Sequence, residues 1–304
     1  MISVTCAALG LALANPAASG DYRLTEDCSR APTAMAFTVT AYHDKPMTID
    51  LAGHRIVGIR FEKGGGGVTL MNGTITAPKG GGWNETHGSP LLYGLAALQG
   101  ARDIAARDIT FTDAKKAVAV GSSSNISITH SRCTGEVEDC LIASRTKGIV
   151  FTHNVVSDLK QKPSECTYPD GRIGYRVARR HCGAAGGVWR DGWHGDVVQI
   201  RNATTDVLVA HNRISTPGQG GGQMAARGDA PLARVVWRDN VIEAVNHHVS
   251  LFDCQDCLIA RNTLKRYPKG NYPNKGDRFI PTVRFGNARA CENVSEGGGG
   301  SGPC

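Results

Sequence analysis

Residues 148–156 read GIVFTHNVV, and residues 206–214 read DVLVAHNRI. Both stretches put apolar residues at the second and fourth places, His-Asn at the sixth and seventh, and an apolar residue last. The same nine-residue frame fits RVVWRDNVI from 234, DCLIARNTL from 256 and NARACENVS from 287. Upstream it fits NISITHSRC from 125, DIAARDITF from 103 and GVTLMNGTI from 67. The seventh place holds Asn154, Asn212, Asn240, Asn262 and Asn293, with Ser131 and Gly73 earlier. One Asn beside a strand is turn chemistry. Five at one repeat position predict a ladder of side-chain amides bonding along an axis, as in stacked in-register strands.

The frames starting at 103, 125 and 148 lie 22 and 23 residues apart, and those at 234 and 256 lie 22 apart. The other spacings are 28, 31, 36 and 58, so loops interrupt the coils. Short strands at this period, without the Leu spacing of leucine-rich repeats, predict a β-solenoid.

Bulk properties agree. The chain has 304 residues, 41% hydrophobic and 20% charged, which is globular rather than disordered. Its 38 glycines and few helical runs predict an all-β fold with many turns. The net charge is +7 with a pI near 8.9, which matches a polyanionic partner. The first residues, MISVTCAALGLALANPAASG, have the short apolar run and small residues of a secretory leader, although no Lys or Arg precedes the run. No later run is long enough to span a membrane. There are ten cysteines. Removing residues 1–18 would remove Cys6 and leave an odd number. Cys166 with Cys182, Cys291 with Cys304 and Cys133 with Cys140 are candidate disulfides. The lone CxxC of Cys254 and Cys257 reads as turn packing or a disulfide rather than a metal site.

Over about residues 50–295 this pattern resembles the right-handed parallel β-helix of the pectate-lyase-like superfamily. The resemblance implies an all-β, single-stranded right-handed parallel β-helix at 19–296, following a leader at 1–18. Residues 21–50 are expected to cap the first coil, 160–193 to form a long insertion, and 297–304 to be a loose tail. The fold hosts lyases, hydrolases, epimerases and phage-tail binding modules, so function has to be argued from the site.

Each coil carries a further strand upstream of the frame. Strict alternation puts Val198 and Ile200 inside and Gln199 and Arg201 outside. The same alternation puts Arg227, His248 and Arg284 outside, so that Arg201, Arg227, His248 and Arg284 form a basic stripe suited to an extended anionic polymer. The insertion carries Trp189 and Trp193, whose faces suit sugar stacking. The loop 266–279 adds Lys275 as an opposing wall. Where the insertion re-enters the coils, the form H-x-D-x-x-Q (His194, Asp196, Gln199) is similar to motifs in bacterial β-helix proteins that act on carbohydrates. β-Elimination on a uronic acid needs a cation to hold the carboxylate and a base for the proton. Arg227, Arg201 or Arg284 is the candidate cation, and His194 or His248 the candidate base, with Lys275 in reserve. Asp196 would orient His194 or bind Ca²⁺ through oxygen.

Hydrolysis instead needs two carboxylates. Glu138-Asp139 weakly resembles the Asp-Asp-Cys segment of polygalacturonases, whose Gly-His-Gly and Arg-Ile-Lys segments are missing here. Asp139 would pair with Asp196 if their coils stack directly. The expected function is therefore a secreted or periplasmic, monomeric enzyme acting on an acidic polysaccharide. Lyase chemistry is the first expectation; hydrolysis, C5-epimerisation or non-catalytic glycan binding are the alternatives. Export and the absence of a recognition motif set nucleic acid aside.

Overall fold

The computed structural model describes residues 1–30, 34–78, 93–159, 165–175, 179–190, 196–216, 220–225, 231–244, 247–252, 254–267, 283–284, 288–296 and 301–304. The chain is a parallel β-helix. Each full coil has three strands, and every strand pairs in parallel with its counterpart one coil away. Lys147–Thr152 pairs with Thr205–Ala210, Val155–Leu159 with Arg213–Thr216, and the end of Arg132–Ser144 with Asp196–Arg201.

The first strand of each coil is the front of the nine-residue frame. Its second and fourth places point inward: Ile149 and Phe151, Val207 and Val209, and Val235 and Trp237 are all at most 2% exposed. The sixth place turns the chain. Asn72, Asp108, His130, His153, His211, Asp239, Arg261 and Glu292 all have φ between 50 and 58°. Few non-Gly residues adopt this conformation, and it persists only where the surroundings hold it.

The seventh-place amides do the holding. The Asn154, Asn212, Asn240 and Asn262 backbone N–H groups donate 2.9–3.0 Å bonds to the side-chain oxygen of the next Asn in line, ending at Asn293. The side-chain NH₂ groups of Asn212, Asn240, Asn262 and Asn293 donate to the carbonyls of Phe151, Val209, Trp237 and Ile259. The expected ladder is therefore present, with buried amides whose donors and acceptors are used. Gly73 stands in this row because a Cβ there would lie 2.3 Å from that of Leu51. At the sixth place the rings of His130, His153 and His211 stack at 4.8 and 4.9 Å.

The third strand departs from simple alternation. Two consecutive residues turn inward at its start: Ala117 and Val118, Cys140 and Leu141, and Val197 and Val198 all belong to the core. The chain bends there, so the residue before the pair and the residue after it both stay outside. Lys116 and Ala119, Asp139 and Ile142, and Asp196 and Gln199 occupy those outer positions. His248 holds the register position of Val197, one residue past the Gly220↔His247 pair, and is fully buried. Its Nε2–H donates to the Lys265 carbonyl at 2.8 Å.

Residues 1–18 are built into the fold. Ile2–Val4 pairs in parallel with Tyr22–Leu24, and helix Cys6–Ala14 buries Leu9 and Leu13 over the end of the coil stack. The apolar run of this helix thus contributes Leu9 and Leu13 to the core. Residues 20–23 belong to the first coils, pairing with 47–50, rather than to a cap. Of the tail, 301–304 is held: the Ser301 hydroxyl accepts from both nitrogens of Asn293, and Cys304 is bonded to Cys291. The last amide of the ladder needs a partner, and the tail supplies it.

All ten cysteines pair, as Cys6–Cys28, Cys133–Cys140, Cys166–Cys182, Cys254–Cys257 and Cys291–Cys304. Five disulfides fit an oxidising compartment. Among the described residues, no helix is long and apolar enough to cross a membrane. The described part of the insertion forms a small antiparallel sheet of Glu165–Thr167, Ile173–Tyr175 and Val188–Arg190, tied by Cys166–Cys182.

Candidate functional site

The long departures from the repeat fall at one corner, between the second and third strands of a coil. Residues 77–92 lead into Tyr93–Leu98, 160–195 into Asp196–Arg201, and 267–282 into Val283–Arg284. The first outer position of the third strand sits at that corner. Its register down the stack is Tyr93, Lys116, Asp139, then Asp196, Gly220 and His247. Leu141 pairs with Val198 and Ile142 with Gln199, so the same register puts Asp139 beside Asp196. The coils of the two acids stack directly.

Asp139 and Asp196 are 1% and 3% exposed, and Glu138 is 6% exposed. The Lys116 ammonium bonds to the Asp139 carboxylate and lies 3.0 Å from Glu138 Oε2; Lys115 lies 3.8 Å from the same oxygen. The Gln199 amide donates to Asp196 Oδ2 at 3.2 Å. That bond explains the D-x-x-Q part of the motif. The double inward turn at Val197-Val198 puts residues three apart on the same outer face, so the Gln can hold the Asp. Cys133–Cys140 closes the short segment that carries Glu138 and Asp139.

The electrostatics are unbalanced. Burial pushes the Asp139 carboxyl up to about 7; the Lys116 ammonium opposes this, while the Glu138 and Asp196 charges add to it. Burial works against the Lys116 charge, but Asp139 and Glu138 together hold its pKa above the ordinary lysine value. Three carboxylates share the neighbourhood of Lys116, so near neutral pH Asp139 carries a proton part of the time. The cluster reaches solvent through the lysines, whose side chains are 25% and 14% exposed for Lys115 and Lys116.

A Ca²⁺ ion does not fit this donor set. The Lys116 ammonium takes the place between Glu138 and Asp139 that a cation would fill. Among the described residues, no group of three or more His, Cys, Asp or Glu is arranged to hold a metal.

The other predicted site residues are scattered. Arg201 is exposed in the row of Ser144, Ala225 and Phe252. Arg284, of which only the backbone is described, lies in the row of Gln199, Gln223 and Ser250. His248 is buried in the inward row of Val197. The expected stripe of Arg201, His248 and Arg284 therefore falls on three rows: the double inward turn takes His248 into the core, and Arg201 and Arg284 lie two register positions apart. Trp189 is half-buried in the insertion sheet, opposite Cys166. His194, Trp193, Arg227 and Lys275 lie outside the described residues.

Sequence reasoning missed Lys116, Gly220 and His247 as members of the acid row. Setting KAVAV (116–120), DCLIA (139–143) and DVVQI (196–200) under one another would have found Lys116, since each strand opens on a polar residue before two apolar ones. No protein-family model and no curated protein matches the chain. The site's own geometry therefore has to carry the functional argument.

Proposed function

We propose that the protein is a secreted or periplasmic enzyme of the pectate-lyase-like superfamily that cleaves an acidic polysaccharide. Among cleavage chemistries the described cluster favours hydrolysis. One observation carries this reading: Asp139 and Asp196 stand on adjacent rungs, and burial pushes the Asp139 carboxyl up to about 7. Glycoside hydrolysis needs a carboxyl group that can still donate a proton near neutral pH, with a second carboxyl group beside it. In this reading Asp139 protonates the glycosidic oxygen. Asp196, oriented by Gln199, attacks the anomeric carbon or activates water. Adjacent rungs are about 4.8 Å apart, near the roughly 5–5.5 Å of a retaining carboxylate pair. Lys115 and Lys116 at the open side, with the net charge of +7, support an anionic polymer.

β-Elimination is the second reading, and Lys116 supports it: an ammonium beside the acids would neutralise a uronate carboxylate. Incubating the purified protein with a panel of uronic-acid polysaccharides separates the two. New reducing ends without the ultraviolet absorbance of an unsaturated sugar support hydrolysis. That absorbance moves the assignment to elimination. Neither signal on any polymer overturns the cleavage reading.

A further inference from the structure

The outer face of the first strand carries a column of apolar side chains. It is the third place of the nine-residue frame, and from rung to rung it runs Ser127, Val150, Leu208, Val236, Leu258, Arg289. Val150 is 36% exposed, and Leu208, Val236 and Leu258 are partly exposed. A sheet with one face in water usually takes polar residues at its outward positions. Single exposed apolar residues are ordinary, but a contiguous strip over four rungs marks an interaction surface. The acid cluster and the long insertions lie at the other corner. After this strand the chain turns within two residues on each of these rungs, at 130–131, 153–154, 211–212, 239–240 and 261–262.

Charged ladders border the column on both sides. The first place of the frame holds Asp206, Arg234 and Asp256, and the sixth holds His211, Asp239 and Arg261. All six have φ between 52 and 59°, so both edges stand at bends that flank the strand. Each ladder is tied along itself. Arg234 bonds Asp206 at 2.5 and 2.9 Å, and Arg261 bonds Asp239 at 2.7 and 3.0 Å. Arg238 also reaches Asp239, at 2.6 Å. The two ladders are out of phase by one rung. The Val236 rung has Arg234 at its first place and Asp239 at its sixth; the Leu258 rung has Asp256 first and Arg261 sixth.

We propose that this face binds a second copy of the chain, giving a two-fold dimer in place of the monomer expected from the sequence. The two-fold axis runs parallel to the helix axis. It sets the first place of each rung opposite the sixth place of the same rung in the other copy. Arg234 then meets Asp239, Asp256 meets Arg261 and Asp206 meets His211, each of them twice, as a self-complementary interface requires. The two apolar columns pack side by side. A two-fold along the strands, centred between the Val236 and Leu258 rungs, would also match the charges, but it lays Leu208 on Arg289, the next residue of the column. Five rungs, Ser127 to Leu258, and a strand of six residues give about 500 Å² per copy, or about 1,000 Å² in total. That is the lower limit of a specific interface and implies a reversible dimer. Because each ladder is already tied within its own copy, little side-chain freedom is lost on docking. The acid cluster takes no part in the contact.

Sedimentation velocity tests this, with Tm measured for every variant. The wild type should associate with a dissociation constant on the order of 10 µM, and loading concentrations of about 1–300 µM bracket it. Leu208→Glu puts two unpaired carboxylates into the contact and should weaken association at least about 100-fold, with Tm unchanged. Val155→Glu adds the same charge on the second strand, where Val155 is 39% exposed, and should leave the dimer intact. Arg234→Glu sets a carboxylate opposite Asp239 and should weaken association at least about 10-fold. Adding Asp239→Arg to that variant restores opposite signs across the axis and should restore the dimer. Under a two-fold along the strands, the same double variant faces Asp256 and Arg261 with like charges and associates more weakly still.

A wild type that stays monomeric at every concentration overturns the proposal. A dimer that Leu208→Glu leaves unchanged, or that Val155→Glu dissolves, also overturns it, because the contact then uses another face. If Leu208→Glu lowers Tm, the charge exchange decides: association lost in Arg234→Glu and regained in the double variant supports the dimer, and no recovery in the double variant overturns it.

Discussion

The coil has two corners that bury polar groups, and they are built on opposite plans. At the first, between the first and second strands, the amides of Asn154 through Asn293 occupy one row. Each uses its donors and acceptor on the backbone and on the next amide, and the connection is always short. At the second, between the second and third strands, Lys116, Asp139 and Asp196 occupy one row, with Glu138 beside it. Here the charges do not balance, the acid pKa is displaced, and the long insertions enter. A ladder of neutral, fully bonded amides stabilises a repeat. A buried surplus of carboxylates costs stability, so its retention points to chemistry.

The comparison breaks most sharply at the acids. Asp139→Asn removes the acid while keeping its shape. We expect at least about a 1,000-fold loss of turnover, equivalent to about 4 kcal/mol. Thermal stability should be unchanged or higher, because one member of a mutually repelling set is gone. A large loss of Tm with retained specific activity would put Asp139 with the structural amides.

The reverse pattern is expected at the ladder. Asn212→Leu strands the Asn154 backbone N–H and the Phe151 carbonyl in the interior. At about 1–3 kcal/mol for each buried group left unpaired, urea unfolding should show a loss of about 2–6 kcal/mol. Activity per folded molecule should hardly change.

Lys116→Met sharpens the electrostatic side. Lys116 lowers the Asp139 pKa, so its removal should raise that value above about 7. If Asp139 is the acid, the alkaline limb of the kcat/KM profile moves to higher pH; an unmoved limb would exclude it. Stability follows the same group. The folded-state pKa of Asp139 lies above its ordinary value of 3.8, so its contribution is full below about 3.8 and is lost as pH rises through about 7. Wild-type protein should lose stability over that interval, and Asp139→Asn should lose less.

The smallest effect belongs to the histidine stack. Burial, and then the neighbouring His130 and His211 charges, lower the His153 pKa below 6.5. His153 therefore favours its neutral form in the fold, and its contribution is lost as pH falls below 6.5. His153→Asn should flatten the acid side of the stability curve slightly, and urea midpoints at pH 7 and pH 5 would show it.

What could be read from the sequence was whatever repeats. Five Asn residues at one place announced the ladder, and three of the five disulfides could be named from neighbouring spacing. Cys6–Cys28 escaped because reading residues 1–18 as a leader took Cys6 out of the count. The acid row was half legible. Asp139 and Asp196 were named as a pair conditional on stacking, but 58 residues separate the repeat windows around them. Strict alternation hid Lys116 and placed His248 outside, because the double inward turn before Val118, Leu141 and Val198 breaks the two-residue period.

The sequence by itself determined the periodic part of this protein: the inward positions, the turn with positive φ and the amide ladder. Those depend on contacts between equivalent residues of neighbouring coils, and equivalence is written in the repeat. Only the tertiary structure decided which residues of the irregular corner share a row. That register depends on how an insertion closes and on where the chain bends inward, and neither leaves a period to count. The displaced proton on Asp139 belongs to the same class of fact, since it arises from burial and from three charges brought together by stacking.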